Sequence, residues 1–471
     1  MDAIAVLDIV SGGVGVSPAL FFRGMHGRDA HATLFFTISM TQSSYHIPEE
    51  ESLDRPALEQ LQRRKLVGLL EKVLPANAFY RHKLGGVRFN PLHDPISALP
   101  FTTRAELEQD QLEHPPYGSN LSFPADRYCR LHQTSGSGGR PLRWLDTTDS
   151  WNWWKRCWGI LFSAAGIGPP DKLAFPFSFG PFVGFWGAFE AAAALGLFVI
   201  PAGGMATTAR LKMILENQVT VICCTPTYAV RMIEVAAEEG IDIANSAVRA
   251  FIVAGEPGGH IPATRQRIES AWNARVFDHT GMTEIGPLGF ECLENPADVH
   301  LTETECIAEV LDPATNNPVA EGEAGELIIT NLGRHGSPVI RYRTGDQVRV
   351  TRERCACGRW SARMLGGILG RMDDMFIVRG NNVFPSAIEA VIRRFDEVAE
   401  FGIEVYQSGA LAQVQLKLEP VPSVIDGQGL ADRVGKALQS TLSFKADVQL
   451  VACGSLPRFE MKAKRFVKKI V

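Results

Sequence analysis

The sequence predicts an α/β protein: a large amino-terminal domain of mostly parallel sheet with a β-rich subdomain, then a small α+β domain. Three observations predict it. At 471 residues the chain exceeds what one hydrophobic core usually supports. Between residues 150 and 285 short apolar runs alternate with helix-length segments, the texture of βαβ units. After residue 300 strand and turn signals take over, and beyond Gly370 a compact tail carries its own helix and strand pattern. The expected boundaries are 1–45 for an extension without an assigned role, 46–370 for the large domain and 371–471 for the small one.

The first helix is expected at Asp54 and Pro56, a helix-start signal, followed by Leu58, Leu61, Leu66, Leu69 and Val73 near helical spacing until Pro75 stops the run. Short buried strands are expected at Leu197 to Ile200, Val219 to Cys224, Ala250 to Ala254 and Arg275 to Phe277. Ile307 to Leu311, ended by Asp312-Pro313, and Gly325 to Thr330 mark the β-rich part. In the tail, Pro385 to Arg394 reads as a helix and Ala412 to Leu418 as a strand.

Composition excludes several classes. Hydrophobic residues at 45% and charged residues at 21% are ordinary for a folded globular chain. A formal charge of -5, from 47 basic against 52 acidic residues, speaks against a nucleic-acid partner, so any phosphate recognition is local. Nine scattered cysteines fit a reducing cytoplasm better than a disulfide framework. No uninterrupted apolar run reaches the ~18 residues of a membrane span, and Asp2 and Asp8 stand where an export signal would carry Lys or Arg.

Thr134-Ser135-Gly136-Ser137-Gly138-Gly139-Arg140-Pro141 crowds hydroxyls and glycines ahead of a cation. Glycine permits the backbone angles that let consecutive N–H groups converge on phosphate oxygens, so this is a candidate phosphate loop, although composition alone suits a surface turn as well. Further along come Ala254-Gly255-Glu256-Pro257, Asp278-His279-Thr280-Gly281-Met282-Thr283-Glu284 and Arg341-Tyr342-Arg343-Thr344-Gly345-Asp346. Then follow Gly370-Arg371-Met372-Asp373-Asp374, Arg379-Gly380-Asn381-Asn382-Val383-Phe384-Pro385, and Pro457-Arg458 with Lys462 and Arg465. In this order the set resembles the adenylate-forming superfamily, nearest to its phenylacetate-CoA ligase branch, from about residue 55 to the end.

The resemblance implies a large AMP-binding domain and a small mobile carboxy-terminal domain that together join a carboxylic acid to AMP at the expense of ATP and pass it to the thiol of CoA. It places Thr134 to Pro141 over the β and γ phosphates, Gly255, Glu256 and Pro257 along the adenine, and Asp278 and Thr280 in the nucleotide motif. It gives Thr283 to the α-phosphate, Glu284 to Mg²⁺, Asp346 to the ribose hydroxyls, and Arg371 to the ribose and phosphate. Asp373 matches the hinge, Gly380 and its neighbours the thiol tunnel, and Lys462 the catalytic lysine that offsets charge between carboxylate and phosphate.

The sequence departs from the family at four points. Arg140 replaces the usual lysine, Gly138 a hydroxyl residue, Thr280 a tyrosine that stacks on adenine, and Met461 the glycine before the catalytic lysine. Transfer to a carrier-protein thiol or an amine, and a non-catalytic nucleotide-binding homologue, stay open as alternatives, as does a homodimer.

Cys355-Ala356-Cys357 with Cys292 and His300 offers three thiolates and an imidazole, a soft tetrahedral set suited to structural Zn²⁺, with Cys306 as a competing ligand. A similar pattern occurs in relatives within the same branch. Phe175, Phe177, Phe179, Phe182, Phe185, Trp186 and Phe189, interleaved with Gly180, Pro181, Gly184 and Gly187, suit the wall of a flat pocket for an aromatic acid, and core packing explains them equally.

Overall fold

In this computed structural model residues 45–134, 140–378, 381–408, 411–459 and 462–469 are described. The first long helix spans Arg55–Val73. The Asp54 carboxylate accepts from the Ala57 N–H and so occupies one of the donors a helix start leaves unpaired, while Leu58, Leu61, Leu66, Leu69 and Val73 turn inward.

A hairpin of β1 (Tyr128–Gln133) and β2 (Arg143–Thr147) precedes the main sheet. That sheet begins with β3 (Lys172–Phe175), β4 (Phe198–Pro201), β5 (Val221–Cys224), β6 (Ala250–Ala254) and β7 (Arg275–Met282), every neighbouring pair of which is parallel. Side chains alternate across it. Phe175, Val221, Cys223, Ile252 and Phe277 join one core with the helices Thr148–Ala164 and Trp186–Ala194. Ala174, Ile222, Cys224, Phe251 and Val276 join another, under the helices Thr207–Glu216, Pro226–Glu239 and Pro262–Trp272. Strands covered on both faces read as unbroken apolar runs, which is why periodicity alone could locate but not orient them.

The β-rich stretch after residue 300 does not close a sheet of its own. Strands β8 (Gly286–Phe290), β9 (Val299–Leu301), β10 (Cys306–Leu311), β11 (Ala324–Asn331), β12 (Tyr342–Thr351) and β13 (Arg363–Arg371) continue the parallel sheet with antiparallel pairing. The junction is β8 against β7 and β13 against β9. A hairpin of β14 (Phe376–Val378) and β15 (Asn381–Val383) leads to a second sheet of β16 (Val398–Ser408), β17 (Leu411–Pro420), β18 (Asp447–Leu450) and β19 (Phe466–Lys469), in the order β18-β17-β16-β19. Helices Pro385–Ile392 and Gly427–Leu442 cover it, burying Ile388, Val391, Leu430, Val434 and Leu438. Among the described residues no helix is long and apolar enough to cross a membrane.

Candidate active site

Strands β6 and β7 end side by side, and their carboxy-terminal ends carry two of the sequence motifs, the place where open α/β sheets receive ligands. Past β6 the chain turns at Gly255 with φ +95°, a conformation that favours glycine, so Gly255 and Pro257 are exposed and Glu256 is half-buried. On β7, Asp278 is buried with Oδ2 3.3 Å from His260 Nδ1, and Thr280 is half-buried. Close approach of the chain at Gly259 accommodates this carboxylate: a Cβ there would fall 2.5 Å from Asp278 Oδ1.

Just beyond β7, Thr283 is half-buried and Glu284 buried. The Glu284 Oε1 accepts from Arg104 Nη1 at 3.2 Å and from the Tyr342 hydroxyl at 3.4 Å. Burial pushes the Glu284 carboxyl above its ordinary range, and Arg104, Arg371 and Arg334 pull it back. The two ends of the candidate phosphate loop lie beside it. Thr134 Oγ1 receives Arg104 Nη2 at 3.3 Å and the Leu142 N–H at 2.9 Å, and the Arg140 carbonyl accepts Arg104 Nη2 at 3.2 Å. Ser135, Gly136, Ser137, Gly138 and Gly139 lie outside the described residues.

Asp346 sits buried on β12 opposite Arg371 of β13, whose Nη1 donates to Asp346 Oδ1 at 3.1 Å and to the Thr344 carbonyl at 2.8 Å. Burial pushes the Asp346 carboxyl up to about 6 against the pull of Arg371 and of Lys462. Lys462 of the small domain is thus near enough for its charge to count at Asp346, and its side chain is exposed. Next to Lys462, the Ala463 N–H donates to Glu256 Oε2 at 2.6 Å. Asp373 is exposed, with Oδ2 3.5 Å from Arg371 Nη2, while Gly380 and Met461 lie outside the described residues.

Cys292, His300, Cys355 and Cys357 bring their ligand atoms within 4.8 Å of one another. Cys292 Sγ lies 3.8 Å from Cys355 Sγ, and Cys357 Sγ 3.6 Å from His300 Nε2. Tetrahedral zinc with its usual bond lengths demands about 3.8 Å between two sulfurs and about 3.6 Å between sulfur and nitrogen. The surroundings support such a set: His300 Nδ1 faces Ser361 Oγ at 3.0 Å and Arg359 Nη1 lies 3.6 Å from Cys357 Sγ. The neighbouring Cys292 and then His300 hold the Cys357 thiol far below its ordinary range. Among the described residues Cys306 is not in this cluster; it is buried, and its carbonyl accepts from Gln62.

The AMP-binding enzyme family matches residues 98–333, and the AMP-binding enzyme C-terminal domain matches residues 380–469. The chain is 31% identical over 438 residues to the phenylacetate-coenzyme A ligase of Thermus thermophilus, covering 88% of this chain and 96% of that one. It belongs to the AMP-binding enzymes. Within them it sits on the phenylacetate-CoA ligase-like branch, the family that its motifs resemble.

A crystal structure of 2-hydroxyisobutyryl-CoA ligase in the postadenylation state, in complex with R3-HIB-AMP, aligns with TM-score 0.86 and 27% identity over 91% of this chain and 93% of that one. The same ligase in the thioesterification state, with 2-HIB-AMP and CoA, aligns with TM-score 0.69 and 28% identity over 91% and 93%. The present arrangement of the AMP-binding enzyme is thus nearer the first of these states.

In this AMP-binding enzyme the aromatic run behind β3 forms one cluster. Phe175, Phe177 and Phe185 are buried, Phe179, Trp186 and Phe189 pack on them, and Phe182 is exposed. The rings meet edge-on, Phe179 to Trp186 at 4.7 Å and Phe175 to Phe189 at 5.4 Å. Trp158 ties them to β7 through His279, 4.4 Å away. Burial holds the His279 imidazole down at about 4; it is therefore neutral near pH 7 and its Nδ1 donates to the Gly289 carbonyl at 2.6 Å.

Three residues of the AMP-binding enzyme's site carry no motif and were missed from sequence. Arg104 joins the loop ends to Glu284; Arg334 donates to the Glu284 carbonyl at 3.1 Å and to that of Thr283; Asp146 in turn holds Arg334. A lone arginine opening a helix resembles a solvated residue, and no local signal separates the two.

Proposed function

We propose that this AMP-forming acid-thiol ligase activates an aromatic carboxylic acid, and that the residues assembled past the ends of β6 and β7 and on β12 perform the first step. One observation carries the reading: the Ala463 N–H, one residue past Lys462 of the small domain, donates to Glu256 Oε2 of the large domain's nucleotide motif. A cation from one domain is thereby delivered to the nucleotide motifs of the other.

In the adenylation step a carboxylate oxygen attacks the α-phosphorus, the bond from phosphorus to the bridging oxygen breaks, and pyrophosphate leaves. Two anions must approach, and Lys462 offsets their repulsion as charge builds in the transition state. The loop ends at Thr134 and Arg140 border the outer phosphates, Thr283 faces the α-phosphate, and Asp346 accepts from the ribose hydroxyls with Arg371 holding its carboxylate. Glu284 fits a cation, since its buried carboxylate already takes one from Arg104. Mg²⁺ bound there supplies positive charge to the phosphates.

In the second step the CoA thiolate attacks the acyl carbonyl and AMP departs, after the small domain, residues 371–471, turns about Asp373. The exposure of Asp373 supports a hinge at that point. The Cys292, His300, Cys355, Cys357 set takes a structural Zn²⁺, because four protein ligands leave no position open for a water. The aromatic cluster around Phe177, Phe179 and Trp186 supports an aryl acid. Nine free cysteines suit a reducing cytoplasm.

The test is acid-dependent exchange of labelled pyrophosphate into ATP with Mg²⁺ over a panel of aryl and aliphatic acids. Product trapping with CoA, a carrier-protein thiol or an amine follows. Exchange with aryl acids and a CoA thioester product are expected; ATP binding without exchange for any acid refutes the reading.

A further inference from the structure

Glu256 belongs to the motif assigned to the adenine, yet both of its carboxylate oxygens are engaged elsewhere. Oε1 accepts from the Thr227 backbone N–H at 3.0 Å, in the first turn of the helix Pro226–Glu239 of the large domain. Oε2 accepts from the Ala463 N–H of the small domain at 2.6 Å. The carboxylate is a bridge between two backbones, and the residue it reaches in the small domain is the one after Lys462.

A second tie lies two residues on. Arg465 donates through Nη1 to Thr227 Oγ1 at 3.1 Å, while Nε and Nη2 grip Glu400 of the small domain at 2.6 and 3.0 Å. Thr227 is therefore a common anchor, offering its N–H to Glu256 and its hydroxyl to Arg465. Around these ties the two domains meet through a small pocket whose lining is largely charged, including Arg231, Glu234, Arg393, Glu400 and Arg458. An interface held by a few directed hydrogen bonds to charged groups is fixed in register and still separable.

We propose that Glu256 is a positioning residue for Lys462: by bridging the N–H groups of Thr227 and Ala463 it seats the lysine loop for adenylation, and its release frees the small domain for the thiol step. This rests on the two-step ligase reading above. Glu256 acts through Lys462 and has no role of its own in the transfer of the acyl group to CoA. Burial pushes its carboxyl upward, and the Thr227 side chain, the Ala463 N–H and the Arg465 charge oppose that.

The experiment compares the wild type with Glu256→Ala, Glu256→Gln and Thr227→Val in three readouts. They are pyrophosphate exchange, thioester formation from preformed acyl-AMP with CoA, and the distance between dyes on the two domains by single-molecule fluorescence. Loss of a hydrogen bond to a charged group predicts about a tenfold or greater drop in the exchange rate for Glu256→Ala, with KM for ATP little changed. Glu256→Gln, which keeps one acceptor, falls between, and Thr227→Val, which keeps the N–H to Glu256 and loses only the hydroxyl that Arg465 holds, drops less. The ratio of thioester formation to exchange rises in each variant, and the distance distribution broadens toward the open form.

Equal loss in both half-reactions means a merely structural role and overturns the proposal, as does unchanged exchange in Glu256→Ala. If the wild type exchanges pyrophosphate with no acid, the ligase reading fails instead. The distance distribution then decides alone, and an unchanged one in Glu256→Ala overturns the bridge.

Discussion

Arg334 and Asp146 form a fully buried two-point ion pair, Nε to Oδ1 at 2.7 Å and Nη2 to Oδ2 at 2.6 Å, with neither side chain reaching solvent. The guanidinium is also sandwiched by Trp144 and Trp154, at 5.4 and 5.1 Å, and its remaining nitrogen holds the carbonyls of Thr283 and Glu284. Removing one partner leaves a charge buried without compensation. Asp146→Ala is expected to cost about 3–5 kcal/mol in urea denaturation. A loss below about 1 kcal/mol would show that the pair is not what fixes this corner of the site.

The cluster of Cys292, His300, Cys355 and Cys357, proposed above to hold zinc, gathers segments far apart in sequence. Tyr45 donates to the Cys357 carbonyl at 2.8 Å, and Glu51 is paired with Arg359, whose guanidinium also approaches Cys357. Metal analysis is expected to find one zinc per chain, lost in Cys355→Ser. Chelation is expected to lower the thermal midpoint by about 5 °C or more while the folded fraction keeps its KM for ATP. Metal-free protein with an unchanged midpoint would contradict a structural role.

As the proposed ribose acceptor, Asp346 is expected to make stability and nucleotide binding depend on pH in opposite senses. Its carboxyl rises from an ordinary 3.8 to about 6 in the fold, so the folded protein holds the proton more tightly than the unfolded chain. The stability this contributes is complete below 3.8 and is lost as pH rises through about 6, a cost of about 3 kcal/mol at full ionisation. Asp346→Asn is therefore expected to raise the thermal midpoint at pH 7.5 by clearly more than at pH 4.5, and to weaken ATP binding. The wild type is expected to lose nucleotide affinity as pH falls through about 6, where the proposed ribose acceptor protonates. An equal gain at both pH values would sink this account.

Lys462 is expected to matter for the transition state and not for folding, because its side chain is exposed and lies outside the small-domain core. Lys462→Ala should lower pyrophosphate exchange by about 100-fold or more without moving the thermal midpoint. Wild-type exchange rates in the folded variant would remove it from the chemistry.

The motif order made the family legible because each motif is local: Gly255 turns the chain after β6, and Thr283 and Glu284 follow β7 directly, within a few residues of the strands that carry them. The thiol cluster was legible because cysteine is scarce and its pairing with His300 spans a short list of candidates. What escaped notice depends on contacts between distant segments. Asp146 and Arg334 are separated by 188 positions, and Glu256 and Ala463 by 207. The β-rich stretch looked self-contained because a strand's pattern shows which face it buries, not which edge it joins; the pairing of β13 with β9 merges it into the main sheet.

Arg104 joins both ends of the candidate phosphate loop to Glu284. It opens the helix Arg104–Glu113, is anchored through Nε to Glu108 Oε1 at 2.8 Å, and reaches from there to Glu284, Thr134 and the Arg140 carbonyl. With a third of its side chain exposed it is free to re-aim, and its planar fork suits phosphate oxygens. Were Glu284 to hold the proposed cation, the guanidinium would give up that partner and the phosphates of ATP would offer it another. Arg104→Met is expected to raise KM for ATP, and for pyrophosphate in the exchange direction, by about tenfold, with Arg104→Lys restoring part of it. The affinity for AMP, which lacks the outer phosphates, should change little. A variant in which AMP and ATP weaken alike would mean that Arg104 supports the site as a whole and does not grip the phosphates that leave.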